Sequence, residues 1–124
     1  MSVKTCLLVT DDPDDHHTFS EALAEISENA IVLNVLDSEK ALKLLKAKKH
    51  SPDYMFLDLS MNGIRINSFL KTIRTDEDLK HLPTVVYGEQ SALDQIGHYD
   101  NIVFIDEDYE YSELKNFLQE FIKL

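Results

Sequence analysis

At 124 residues the chain has room for one compact domain with a real core, spanning residues 1–124, and for no second folded unit. Hydrophobic residues make up 44% and charged residues 28%, an ordinary globular profile, while the net charge of −11 argues against nucleic acid as a partner, whose phosphates need Lys and Arg, and disfavours anionic membrane surfaces. Met1-Ser2-Val3-Lys4 leads into an apolar stretch too short for a signal peptide, and no stretch approaches the ~20 residues that span a bilayer. Cys6 is the only cysteine, which excludes an intrachain disulfide and fits a reducing cytoplasm.

The pattern predicts a strand over Val3 to Val9, running into the acidic stretch Thr10-Asp11-Asp12-Pro13-Asp14-Asp15. Asp12-Pro13 reads as an N-cap followed by proline in the first helical position. The helix that follows spaces Phe19, Leu23 and Ile26 along one face, with Asp14 and Asp15 matched to the positive end of its dipole. Adjacent His16 and His17 point in different directions on such a helix and read as surface positions. Ile31 to Leu36 is the second strand. Ser38 can cap a second helix that turns Ala41, Leu42, Leu44 and Leu45 inward.

Tyr54 to Leu57, closed by Asp58, is the third strand, bounded by Pro52-Asp53 and Asn62-Gly63. A helix from Asn67 to Arg74 carries Phe69, Leu70 and Ile73. Thr84 to Tyr87 is the fourth strand, followed by a short, weakly helical segment from Glu89 to His98. Ile102 to Ile105 is the fifth strand. The last helix shows an amphipathic stripe of Leu114, Phe117, Leu118, Phe121 and Ile122. Five βα units imply a parallel sheet with helices on both faces. Carboxylates following the first and third strands suggest a divalent-cation pocket at one sheet edge.

The chain resembles the receiver domain of two-component response regulators over its whole length. The residues that carry the likeness are Leu8 to Asp15 after the first strand, Pro52 to Met61 around the third, and Phe69 to Arg74 running on to His81-Leu82-Pro83. Their order and spacing look most like the stand-alone receivers that lack an output domain. The resemblance implies a doubly wound (βα)5, flavodoxin-like three-layer sandwich with sheet order 2-1-3-4-5, two helices on one face and three on the other. It implies that Asp58 accepts a phosphoryl group from a histidine kinase or phosphotransfer protein. It places Mg²⁺ on Asp11, Asp58 and the backbone carbonyl of Ser60, with Asp12 as a partial substitute ligand. A carboxylate can act as nucleophile once a cation holds the phosphoryl oxygens, and Mg²⁺ suits one or two carboxylates with waters.

Set against that pattern, the first acid of the usual pair is Thr10 and the usual proline after the acceptor is Asn62. The switch hydroxyl position is Gly88, and the usual lysine is Glu107, flanked by Asp106 and Asp108. Phe104 falls at the rotating switch aromatic, with a packed core phenylalanine as the equal alternative. Removing one preorganised donor from such a site costs ~3–4 kcal/mol of transition-state stabilisation. Weak Mg²⁺ binding is therefore expected.

The leading functional reading is a single-domain response regulator in a cytoplasmic phosphorelay. Asp58 would be its phosphoacceptor, and its output would pass by contact with a downstream protein. The alternative is a pseudo-receiver, the same fold used as a phosphorylation-independent interaction module. A Mg²⁺-dependent phosphatase working through an aspartyl phosphate fits less well, because its second acid would fall on Ser60; a non-enzyme is expected. Tyr109 and Tyr111 are candidate partner-surface residues.

Overall fold

The computed structural model describes residues 3–47, 52–61, 66–94, 96 and 101–122. Strands and helices alternate: β1 (Lys4–Val9), α1 (Pro13–Ile26), β2 (Ala30–Val35), α2 (Ser38–Lys46), β3 (Tyr54–Asp58), α3 (Ile66–Thr75), β4 (Thr84–Gly88), α4 (Gln90–Leu93), β5 (Ile102–Asp106) and α5 (Tyr111–Phe121). The strands form one sheet in the order β2-β1-β3-β4-β5, every neighbouring pair parallel. This is the expected flavodoxin-like arrangement.

Alternation along the strands sorts the side chains into two cores. Cys6, Leu8, Phe56, Val85 and Tyr87 pack with Phe19 and Leu23 of α1 and Leu114 and Leu118 of α5. Leu7, Val9, Met55, Leu57 and Val86 pack with Ala41 and Leu45 of α2, Phe69, Leu70 and Ile73 of α3, and Leu93 of α4. Two helices therefore cover one face and three the other. Strands β1, β3 and β4 are covered on both sides, which is why they read as unbroken apolar runs.

The caps show how local sequence sets the helix starts. Asp12 accepts a hydrogen bond from the Asp14 N–H at 2.9 Å, and Pro13 opens α1 as expected. At α2 the cap is one residue earlier than expected: Asp37, not Ser38, accepts from the Lys40 N–H at 2.7 Å. Asp and Ser cap about equally well, and the carboxylate also complements the positive end of the helix dipole, so the adjacent Asp takes the position.

The edge strands differ from expectation in one respect. Phe104 is 36% exposed, so it is not a packed core residue. It lies on β5 at the edge of the sheet, where its neighbour Val103 is exposed as well. Asn62, Gly63 and the end of the fourth helical segment as far as His98 lie outside the described residues. Among the described residues no helix is long and apolar enough to cross a membrane.

Candidate functional site

Asp58 closes β3, and β3 lies beside β1, so the acids that follow β1 and the acid that ends β3 reach the same carboxyl edge of the sheet. This is the edge where open α/β sheets place their chemistry. Thr10 follows β1 and is held there by backbone geometry. Its N–H donates to the Val35 carbonyl at 3.0 Å, and the Asn34 side-chain amide donates to the carbonyls of Leu8 and Thr10 at 3.0 and 3.2 Å.

Asp58 and Thr10 are both fully buried. The Thr10 hydroxyl accepts from the Asp12 N–H at 3.1 Å, which leaves its own proton to donate to Asp58 Oδ2 at 2.7 Å. The other carboxylate oxygen, Oδ1, accepts from the Ser60 N–H at 2.8 Å and from the Ser60 hydroxyl at 2.6 Å. Three neutral donors thus occupy both oxygens of one buried carboxylate. Neutral partners satisfy the lone pairs but leave the negative charge in place.

That uncancelled charge spreads to the neighbours. Tyr87, one residue before the end of β4, donates its hydroxyl to Asp15 of α1 at 3.2 Å. Burial, then the nearby charge of Asp58, then that of Asp12 raise the Asp15 carboxyl from its ordinary 3.8 to about 6, against the lowering effect of the Tyr87 bond. Burial, followed by the charges of Glu89, Asp58 and Asp106, also pushes Glu107 up. The Tyr109 phenol rises to about 12, chiefly from burial and then from Asp15 and Glu107. These groups border a cleft of about 570 Å³ lined by Asp15, Tyr87, Glu107, Asp108, Tyr109 and Tyr111, with no Lys or Arg among its lining residues.

Of the residues singled out from sequence, Asp58 and the Thr10 position are brought together. Ser60 joins them through its N–H and hydroxyl. Gly88 ends β4 and pairs in register with Asp106 of β5, and Glu107 follows with its N–H on the Gly88 carbonyl at 2.9 Å. Asp11 is exposed, and Asp12 spends one oxygen on capping α1. No group of three or more His, Cys, Asp or Glu side chains is placed to hold a metal among the described residues. The donors present fit Mg²⁺ poorly, because both oxygens of Asp58 are already bonded to protein donors and the position of a second carboxylate is filled by the Thr10 hydroxyl.

Sequence reasoning missed three participants. Thr10 looked like a lost acid and is instead the donor that satisfies Asp58. Asp15 looked like a helix-dipole residue. Tyr87 carried no expected contact with Asp15. The available signal was a polar ring at the exit of an otherwise apolar strand, which must find a partner when buried.

No family model matches the chain. The chemotaxis protein CheY-3 of Vibrio cholerae serotype O1 is 30% identical over 84 residues, covering 67% of this chain and 65% of that protein. The phosphorylated cyanobacterial phytochrome response regulator RcpA superposes with a TM-score of 0.79 at 25% identity, over 98% of this chain and 95% of that one. The chain belongs to the response-regulator receiver domains. A further receiver domain, from the sensor histidine kinase PA1611 of Pseudomonas aeruginosa, has a TM-score of 0.74 at 21% identity, over 99% of this chain and all of that one, and carries a magnesium ion in its active-site cleft. In sequence, the match to CheY-3 spans just under two thirds of that relative's length.

Proposed function

We propose that this receiver domain serves a two-component pathway as an interaction module whose Asp58 centre is a fixed polar knot rather than a working phosphoacceptor. The observation that carries the reading is the engagement of both oxygens of a fully buried Asp58 by the Thr10 hydroxyl and the Ser60 N–H and hydroxyl. A phosphoryl donor must displace these bonds and expose the carboxylate, and the charge that accumulates meets Glu107 and Asp15 rather than a cation. Two carboxylates ~4 Å apart repel by about 4 kcal/mol at the effective dielectric of a partly exposed site. Magnesium, as found in the PA1611 receiver domain, has a poor donor set here.

The partners are a histidine kinase or phosphotransfer protein and a downstream protein, met by surface contact in the cytoplasm. The cleft beside Asp15 adds a chemical preference. Carboxylates between tyrosine rings suit a Lys or Arg side chain, which can ion-pair with the acids and stack on the rings. No enzymatic step belongs to this reading, and Ser60 offers no acid for a phosphatase.

The phosphoacceptor reading keeps one observation in its favour, the position of Asp58 at the carboxyl end of β3 beside β1. Incubation with Mg²⁺ and acetyl phosphate, followed by intact-mass measurement, separates the two. The interaction-module reading expects no phosphoryl adduct on the wild-type chain, even after long incubation. A stable adduct that disappears in Asp58→Asn would establish the phosphoacceptor instead.

A further inference from the structure

The end of β4 approaches the residue after Asp58 more closely than two side chains allow. A Cβ placed on Gly88 would lie 2.8 Å from Leu59 Cβ and 3.3 Å from its Cγ and Cδ1. The first contact decides the matter, because a Cβ is fixed to its backbone and no rotamer change moves it. Gly88 has no positive φ to explain the glycine, so close approach is the reason for it. The same segments are tied by the Leu59 N–H donating to the Tyr87 carbonyl at 3.0 Å. One residue further on, Ser60 holds Asp58 Oδ1.

We propose that Leu59 and Gly88 form a steric interlock that joins the Asp58–Ser60 turn to the end of β4 as one rigid unit and excludes any side chain from position 88. The missing hydroxyl at 88 is then not an isolated loss. It cannot be restored without moving the β4 end or the Asp58–Ser60 turn, and any displacement of the β4 end is passed directly to the donors on Asp58. The interlock is purely steric and stands apart from the question of phosphorylation.

The test is a set of single and double variants, Gly88→Ala combined with Leu59→Ala and with Leu59→Gly, measured by urea unfolding and amide NMR. At an unstrained site Gly→Ala stabilises slightly by stiffening the unfolded chain. Here Gly88→Ala is expected to lower the folding equilibrium constant about tenfold or more through overpacking, and to shift the Ser60 amide. In the Leu59→Gly background the same change should lose most of that effect, a coupling of about fivefold or more. In the Leu59→Ala background it should retain it, because alanine keeps the Cβ.

Additive effects in the Leu59→Gly cycle, or an equal rescue by Leu59→Ala, would overturn the interlock. If Leu59→Gly does not fold, the Gly88→Ala protein alone decides: a displaced Ser60 amide supports the interlock and an unmoved one refutes it. No phosphoryl donor enters any arm, so this result and the acetyl phosphate result can fail separately.

Discussion

The two ends of the sheet hold charge in mirror fashion, one group fully buried and the other half-buried. At the carboxyl edge an anion, Asp58, is held by the Thr10 and Ser60 donors, with no cation among its hydrogen-bond partners in the described residues. At the opposite edge a cation, Arg74 of α3, is held without a carboxylate. Its guanidinium donates to the carbonyls of Leu79, Lys80, Leu82 and Asn101 at 3.0 to 3.4 Å and to the Thr84 hydroxyl at 3.2 Å. Asn101 is the one described non-glycine residue with positive φ, at 64°, a conformation that asparagine tolerates, and its carbonyl also accepts from the Thr84 N–H at 3.2 Å. The difference lies in what surrounds each charge. Around Arg74 the partners are carbonyl dipoles aimed at the cation, and burial alone lowers its pKa. Around Asp58 stand further carboxylates, and burial, with their mutual repulsion added to it, raises Asp15 and Glu107. Neutral partners fix a charge in place; they do not cancel its field.

The largest effect is expected at the Arg74 end. Arg74→Met removes the five hydrogen bonds that tie the α3–β4 connection to the start of β5, although the Leu79, Leu82 and Asn101 carbonyls keep their bonds from Leu82 and Thr84. A loss of about 3 kcal/mol is expected in urea unfolding. A loss below about 1 kcal/mol would mean that water replaces the guanidinium and that the two ends are not comparable. Next comes Thr10→Val, which keeps the shape but withdraws the donor from Asp58 Oδ2. A buried carboxylate oxygen left unpaired is expected to cost about 2 kcal/mol. Asp58→Asn in the Thr10→Val background should recover part of that cost, because the charge that needed the donor is gone.

Much of this arrangement was legible in the sequence. Apolar runs at Cys6 to Val9, Tyr54 to Leu57 and Thr84 to Tyr87 are what strands covered on both faces must look like; the order of the sheet came from the receiver resemblance. Asp58 and Thr10 meet at the carboxyl edge, and Gly88 and Glu107 stand at the neighbouring ends of β4 and β5. The rest depended on distances that no local pattern encodes. Tyr87 and Asp15 are 72 residues apart in sequence and meet only because β4 and α1 share a face. Exposure of Phe104 goes with the place of β5 at the edge of the sheet, which its apolar run does not declare. Asp37 displaced Ser38 as cap because neighbouring residues of similar capping ability compete and one-residue differences are below the reach of pattern reading.

A smaller effect sharpens the electrostatic side of the comparison. The Asp15 carboxyl has an ordinary value of 3.8 and titrates at about 6 in the folded chain, so folding favours its protonated form. The stability it contributes is complete below the unfolded value and is lost as pH rises through about 6. Acidifying from pH 7 to about pH 5 should therefore strengthen the fold through this group. Asp15→Asn should raise stability at pH 7 by on the order of 1 kcal/mol, allowing for solvent screening, and flatten that part of the pH profile. Equal pH dependence in wild type and variant would place the field elsewhere.

The claim on which the comparison turns is that Asp58 is already satisfied, and amide NMR with beryllofluoride and Mg²⁺ tests it most directly. Beryllofluoride mimics an acyl phosphate on a free, metal-assisted carboxylate. With Asp58 bound by Thr10 and Ser60, the Thr10, Ser60 and Gly88 amides should keep their positions in wild type. Large shifts at those three amides, extending along β4 toward Phe104, would show that the donors yield to a ligand and would contradict the account.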